Sequence, residues 1–232
     1  MDSSDSDLSE ANQASSHPSP TEDNIGMKPE FYKAAAKGKI EVFEYIAEPL
    51  AQLLTPNRNT VLHIHLTSLI KESESSTAFV IEILTKCPSL LGQANVKGET
   101  PLHIAARYGH APIVEVLIEC AKSLEVDLEN GVSITVKEML EMTNNEKDTA
   151  FHEAVRGNHL DVVKLLIQEG PDFSYSQNDA GETPLYMAVE RRFEKLMHLI
   201  LLRCASLAHD GPLGRTTLHA AVIWNSRGNA YY

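Results

Sequence analysis

Four histidines recur in one setting. His63, His103, His152 and His219 each follow a threonine by three residues, in "TVLHIH", "TPLHIA", "TAFHEA" and "TTLHAA", and His65 makes a local pair with His63. Imidazoles are common zinc ligands, but zinc needs three or four ligands that converge. These lie one to a segment, far apart in the chain, and no spacing brings them together, so no metal ligand is expected. Cys87, Cys120 and Cys204 are odd in number, widely spaced and without a C-x-x-C. That pattern fits a reducing compartment and inert, buried thiols. Ser, His and Asp are present, but G-x-S-x-G, G-x-x-x-x-G-K-[ST] and G-x-G-x-x-G are not. No catalytic residue, no cofactor-binding residue and no enzymatic activity is expected.

The periodicity itself is the stronger signal. The leading threonines are Thr60, Thr100, Thr149, Thr183 and Thr216, at intervals of 40, 49, 34 and 33 residues. "GETPLHIAARYGHAPIVEVLI" and "GETPLYMAVERRFEKLMHLIL" are one sentence written twice. A period near 33 with T-P-L-H-x-A resembles the ankyrin repeat. The fold class expected is therefore all-α: an ankyrin-repeat solenoid of helix-turn-helix units with hairpin loops. The domain spans 27–225 with about six copies, the first degenerate ("PEFYKAAAKGKIEVFEYI") and the last incomplete. The 49-residue interval implies an insertion near 123–147, where "SITVKEMLEM" extends a helix or forms a short extra one, and the 40-residue interval a smaller one near 71–76.

Each unit explains its own residue types. Threonine caps the first helix, and Pro101 and Pro184 suit its first turn. Leu102, Leu185 and Leu218 point into the stack, and alanines such as Ala105, Ala154 and Ala188 let inner helices approach closely. Gly109 ends the first helix with positive φ, with Asn158, Asn225 and a strained Arg192 in equivalent places. Gly98, Gly181 and Gly214 sit in the hairpin, where Lys147 in the fourth copy should distort the turn. "IVEVLI" and "VVKLLI" carry the 3.6-residue stripe of the second helix. His65 stands where alanine is expected, so it should crowd the next helix or face out. Leu218 and Ala221 lack a following layer, so the end at 214–225 should fray.

Residues 1–26 hold six acids and no Lys or Arg, so this Ser-rich leader carries −6 of the net −12. It reads as a disordered, solubilising tail, and 226–232 reads as a C-terminal tail. An acidic chain is repelled by phosphate backbones and anionic membranes, so no nucleic-acid partner is expected. The sequence shows no signal peptide and no apolar run of membrane-spanning length, so no membrane insertion by this chain is expected, and cytoplasmic residence is.

What remains is the variable surface. In ankyrin arrays a partner meets the hairpin tips and the exposed ends of the inner helices. By motif alignment those positions include Arg107, Tyr108, Arg156, Arg191 and Trp224, with Lys97, Glu99, Asp148, Asp179, Glu182 and Arg215 on the hairpins. Arg, Tyr and Trp are enriched at binding hot spots. A cationic row on an acidic protein suggests a protein partner whose segment bears acidic or phosphorylated groups.

A narrower resemblance rests on "MKPEFYKAAAKGKIEVFEYI", "LTPNRNTVLHIHL", "NEKDTAFHEAVRGNHLDVVKLLI", "YSQNDAGETPLYMAVER" and "TTLHAAVI". Together they resemble the plant Accelerated Cell Death 6-like ankyrin family. That resemblance implies a regulator of plant defence and cell death, with a C-terminal multi-helix membrane region that these 232 residues do not contain. Two readings follow. The chain is a non-catalytic protein-protein interaction module, with other ankyrin-family members among its partners. Alternatively, it is the cytosolic ankyrin part of a multi-pass membrane regulator at the cytosolic face of the plasma membrane.

Overall fold

Every threonine-led segment becomes a short helix because the signals at its start agree. In the computed structural model, which describes residues 26–70, 73–126, 134–170, 176–204 and 211–228, Thr60, Thr100, Thr149 and Thr183 have extended backbones. They open α2 (Val61–Ser68), α4 (Pro101–Tyr108), α7 (Ala150–Arg156) and α9 (Pro184–Glu190). Helices of two turns are marginal alone, so packing must hold them. Together with α1 (Pro29–Ala36) and α11 (Thr217–Gly228), they stack side by side in chain order as an inner layer. Ala35, Ala105, Ala106, Ala154 and Ala188 are buried at these contacts, and their small size allows the close approach.

An outer layer stacks in parallel: α3 (Glu74–Lys86), α5 (Ala111–Val126), α8 (Leu160–Glu169) and α10 (Glu194–Arg203). Their apolar stripes, such as Ile113, Val114, Leu117 and Ile118 of α5, are buried. The first copy is degenerate in structure as in sequence. Its second helix shrinks to a 3-10 turn at Ile40–Phe43, anchored by Phe43 between Phe31 and Phe79. In the insertion, "SITVKEMLEM" gives a separate short helix, α6 (Val136–Glu141), capped by Thr135 and Glu138 and packed on α5. In the smaller one, residues 74–76 form the first turn of α3, while 71–72 lie outside the described residues.

Backbone chirality follows the sequence reading where the inner helix ends. Gly109 (φ 77°), Asn158 (φ 57°) and Arg192 (φ 60°) are all left-handed. At Gly109 a Cβ would also collide with the His159 ring. Lys147 corrects an expectation: it takes φ 59°, and its hairpin is not distorted. Asn144 N–H donates to the Asp148 carbonyl at 2.9 Å, matching Asn95 and Glu99 at 3.0 Å in the hairpin built on glycine. The reason is the asparagine side chain. Asn144 Oδ1 accepts from the N–H groups of Glu146 and Asp148, fixing the turn from within. Arg58 (φ 57°) holds the same place two copies earlier.

Two expectations at the C-terminal end fail. Helix α11 runs through Asn225 to Gly228, so that asparagine does not end it and the boundary drawn at 225 falls inside a helix. The backbone there is helical. Leu218 does not enter the stack; it is 72% exposed where Leu62, Leu102 and Leu185 are buried. Residues 1–25 and 229–232, which hold most of the two tails, lie outside the described residues.

Candidate partner-binding face

The hairpin tips and inner-helix ends form one continuous face, and hydrogen bonds fix it. Val96 N–H donates to Asn57 O, Asn145 N–H to Lys97 O and Asp179 N–H to Glu146 O, at 2.9–3.0 Å. Successive tips are thereby tied into a ribbon. Asn95 and Asn178 repeat the role of Asn144 within their own turns. These asparagines stand five residues before each threonine, a signal legible in the sequence but not singled out there.

Behind the ribbon stand the recurring histidines. Nδ1 of His63, His103 and His152 lies 2.8, 2.8 and 2.9 Å from the hydroxyl of Thr60, Thr100 and Thr149. The threonine N–H points at the same nitrogen. Nε2 of His63 donates to the Glu99 carbonyl at 2.8 Å, and that of His103 to the Asp148 carbonyl at 3.0 Å. A carbonyl only accepts, so the hydrogen sits on Nε2 and Nδ1 accepts. The histidine thus fills the reciprocal place of Glu in a capping box. Burial holds the pKa of all three rings below the ordinary histidine value, although nearby carbonyls and carboxylates pull the other way. His63 and His103 are neutral bridges between repeats. Among the described residues, no three His, Cys, Asp or Glu side chains converge to hold a metal.

His65 departs from both alternatives expected for it. It is buried and turns back to the preceding repeat, with Nδ1 3.0 Å from the Ala35 carbonyl and its ring 4.4 Å from that of Phe79. A second histidine series went unread in the sequence. Nε2 of His110 reaches the Leu66 carbonyl at 3.1 Å, and that of His159 reaches the Arg107 carbonyl at 2.9 Å. Each closes the C-terminal end of the previous inner helix, whose last carbonyls lack helical partners. The dipeptides Gly109-His110 and Asn158-His159 were the available signal.

The arginine row is where structure changes the chemistry most. Arg107 pairs with Glu153 (3.0 and 2.6 Å) and with Glu99 (2.6 Å). Arg156 pairs with Asp148 (2.7 Å) and Glu153 (3.1 Å), and Arg191 Nη1 lies 3.6 Å from Glu182. Glu153, Asp148 and Glu99 are almost wholly buried. Burial alone would raise the Glu99 pKa, but hydrogen bonds from Asn95 and Arg107 hold it below the ordinary carboxylate value. Bonding to Glu153 pushes the Arg107 pKa up. The three cations are therefore compensated from within. The free cationic row expected from the sequence is instead a ladder, Glu99–Arg107–Glu153–Arg156–Asp148, that crosses repeats. Motif alignment placed the arginines but could not see Glu153, which reads as a helix-surface residue in "FHEAV".

Comparison with known proteins agrees with this architecture. A family model described as "Ankyrin repeats (3 copies)" matches over residues 31–130, 72–179 and 127–210. The chain belongs to the ankyrin-repeat family. It is 28% identical to the protein Accelerated Cell Death 6 of Arabidopsis thaliana over 184 residues, covering 77% of this chain and 26% of that protein. It is 29% identical to the nuclear factor NF-kappa-B p105 subunit of Gallus gallus over 163 residues, covering 68% of this chain and 14% of that protein. A third relative is the NF-kappa-B inhibitor cactus of Drosophila yakuba, 26% identical over 155 residues, covering 59% of this chain and 32% of that protein. The chain thus spans about a third or less of the length of these relatives. Ankyrin repeats are a protein-interaction architecture, generally non-catalytic.

Across the ankyrin array the sequence-read positions divide. Lys97, Glu99 and Arg107 line one depression of about 360 Å³ with Asn144, Asn145 and Glu146. Lys97 is exposed, and Tyr108 is half-exposed and stacked on His110. Glu99 faces inward, 5% exposed, so its side chain serves the fold. Glu182 is half-buried beside Arg191. The side chain of Trp224 lies outside the described residues. Of the thiols, Cys204 is buried and its pKa is pushed up to about 11 by burial. Burial, with Glu119 adding, also raises that of Cys120. Neither is an activated nucleophile. No helix among the described residues is long and apolar enough to cross a membrane.

Proposed function

We propose that this chain is a non-catalytic interaction module of plant defence and cell-death signalling that holds a protein segment along its hairpin tips and inner-helix ends. The observation that carries this reading is the rigidity of that face. Its tips are hydrogen-bonded to one another and its arginines are held by buried carboxylates, so little side-chain entropy remains to be lost on binding. Similarity to Accelerated Cell Death 6 over 77% of the chain supports the plant-defence setting. Because Arg107, Arg156 and Arg191 are already paired, a partner gains little from net charge. We therefore assign recognition to Lys97, Tyr108 and the exposed guanidinium edges, with Trp224 as a further contact, and place the module in the cytosol.

A second reading follows from the relative's size. The match covers 26% of Accelerated Cell Death 6, which suits an ankyrin part working at the cytosolic face of the plasma membrane within a larger regulator, with other ankyrin-family members as partners.

Both readings meet one experiment. Partners crosslinked to the chain in plant cells are purified, and their affinity is measured for wild type, Tyr108→Ala and Lys97→Glu. Neither side chain belongs to the ladder, so the fold should persist. At least a tenfold loss is expected. Unchanged affinity in both variants would remove the hairpin face as the binding surface.

A further inference from the structure

The outer helices carry a second surface that the hairpin face does not use. Aligned on the left-handed residues Gly109, Asn158 and Arg192, the solvent-facing pairs are Glu115 and Glu119 on α5, Lys164 and Gln168 on α8, and His198 and Leu202 on α10. Two repeats place polar residues at the last position of that row; α10 places a leucine that is 80% exposed. Packing within the fold does not explain Leu202, since its counterparts are polar. Lys195 and Arg203 flank it, both exposed and without an ion pair among the described residues.

The same outer layer holds a complementary feature. Between α3 and α5 runs an open groove of about 630 Å³, floored by Ile81, Leu84, Val116, Cys120 and Leu124 and edged by Glu115 and Glu119. The floor residues recur at 81, 84 and at 116, 120, 124, the spacing of two facing helix stripes, which is the geometry that receives a third helix. Glu115 forms no ion pair among the described residues, and Glu119 shares Lys122 with Glu169. An acidic, apolar groove therefore lies on one part of the outer layer, and a basic helix with an exposed leucine on another.

We propose that α10 of a second copy of this chain docks in the α3–α5 groove, with Leu202 on the apolar floor and Lys195 and Arg203 against Glu115 and Glu119. Helix α8 separates the two features, so an antiparallel arrangement brings each against the other's counterpart. One two-fold axis makes the contact twice and closes the assembly as a dimer. The charged rim makes it weaken as salt rises.

Sedimentation of the full chain from about 1 to about 200 µM brackets a micromolar contact. A reversible dimer is expected. Leu202→Glu should weaken it at least tenfold, as should Glu115→Lys with Glu119→Lys. Adding Lys195→Glu and Arg203→Glu to the latter pair should restore it, because the rim charges are then exchanged. Alkylation of Cys120, followed by peptide mass spectrometry, should slow as dimer forms and not slow in Leu202→Glu. A monomer throughout this range would overturn the proposal. So would a dimer indifferent to Leu202→Glu, or one not restored by the exchange. Tyr108→Ala should leave the dimer unchanged, which separates this contact from the hairpin face.

Discussion

The interfaces between the second, third and fourth repeats contrast with that between the fifth and sixth. The first two are tied by histidines on both sides, since His63 and His103 each donate to the next hairpin and His110 and His159 reach back to the previous helix; between the third and fourth the Glu99–Arg107–Glu153–Arg156–Asp148 ladder adds a further tie. In the fifth repeat Tyr186 replaces the bridging histidine and Phe193 the back-reaching one. In the sixth, His219 still caps its helix through Thr216, but it and Leu218 are exposed. The same threonine-led phrase therefore does different things according to its neighbours. The cap is local and survives everywhere. The bridge exists only where the adjoining repeat presents a carbonyl or a carboxylate.

The largest expected effect comes from the shared carboxylate. Glu153→Ala removes the carboxylate that Arg107 and Arg156 share, leaving them Glu99 and Asp148 respectively, and the charge-assisted hydrogen bonds lost are together worth about 3 kcal/mol. Urea unfolding should show that loss, and a loss below about 0.5 kcal/mol would mean that the ladder is decorative. Next comes the bridge. His103→Ala removes a cap and a buried inter-repeat hydrogen bond, together about 2 kcal/mol. His219→Ala removes only a cap, so its cost should stay near or below about 1 kcal/mol. Equal costs would erase the contrast between the two regions.

The third effect is a pH dependence. Burial lowers the folded pKa of His63, His103 and His152 below 6.5, so the unfolded chain takes up protons first as pH falls. Their neutral-state stability is fully present above 6.5 and is lost as pH drops below it. Each ring contributes a slope of up to about 1.4 kcal/mol per pH unit in that window. Stability curves for wild type and His103→Ala should converge on acidification; parallel curves would contradict the neutral bridge. The smallest effect is conformational. Arg58→Gly relieves a left-handed arginine and should gain about 0.5–1 kcal/mol, since glycine tolerates that backbone but also gains freedom when unfolded. A loss would show that the arginine side chain holds its hairpin.

Much of this architecture was legible because it is periodic and local. The threonine caps, the prolines, the left-handed Gly109, Asn158 and Arg192, and the stripe of α5 all depend on residues within a few positions. The misreadings share the opposite character. The Lys147 hairpin was misjudged because its turn is set by Asn144, not by the residue with positive φ. The arginine row was read as free charge because alignment shows a face and not a pairing: Glu153 lies 46 residues from Arg107 on the next repeat, and Asp148 lies eight residues from Arg156, back on the hairpin. His65 was misplaced because its partner, Ala35, belongs to a copy too degenerate to align closely. Periodicity places a side chain on a face; it does not say what stands opposite.

Native-state hydrogen exchange tests the central contrast most directly, because it reports opening free energy amide by amide. Amides of α4, bridged on both sides, should exchange only with global unfolding. Those of α11 should exchange through a smaller, local opening. Protection in α11 equal to that in α4 would contradict the account, since it would mean that the cap alone, without bridge or ladder, holds a repeat in the array.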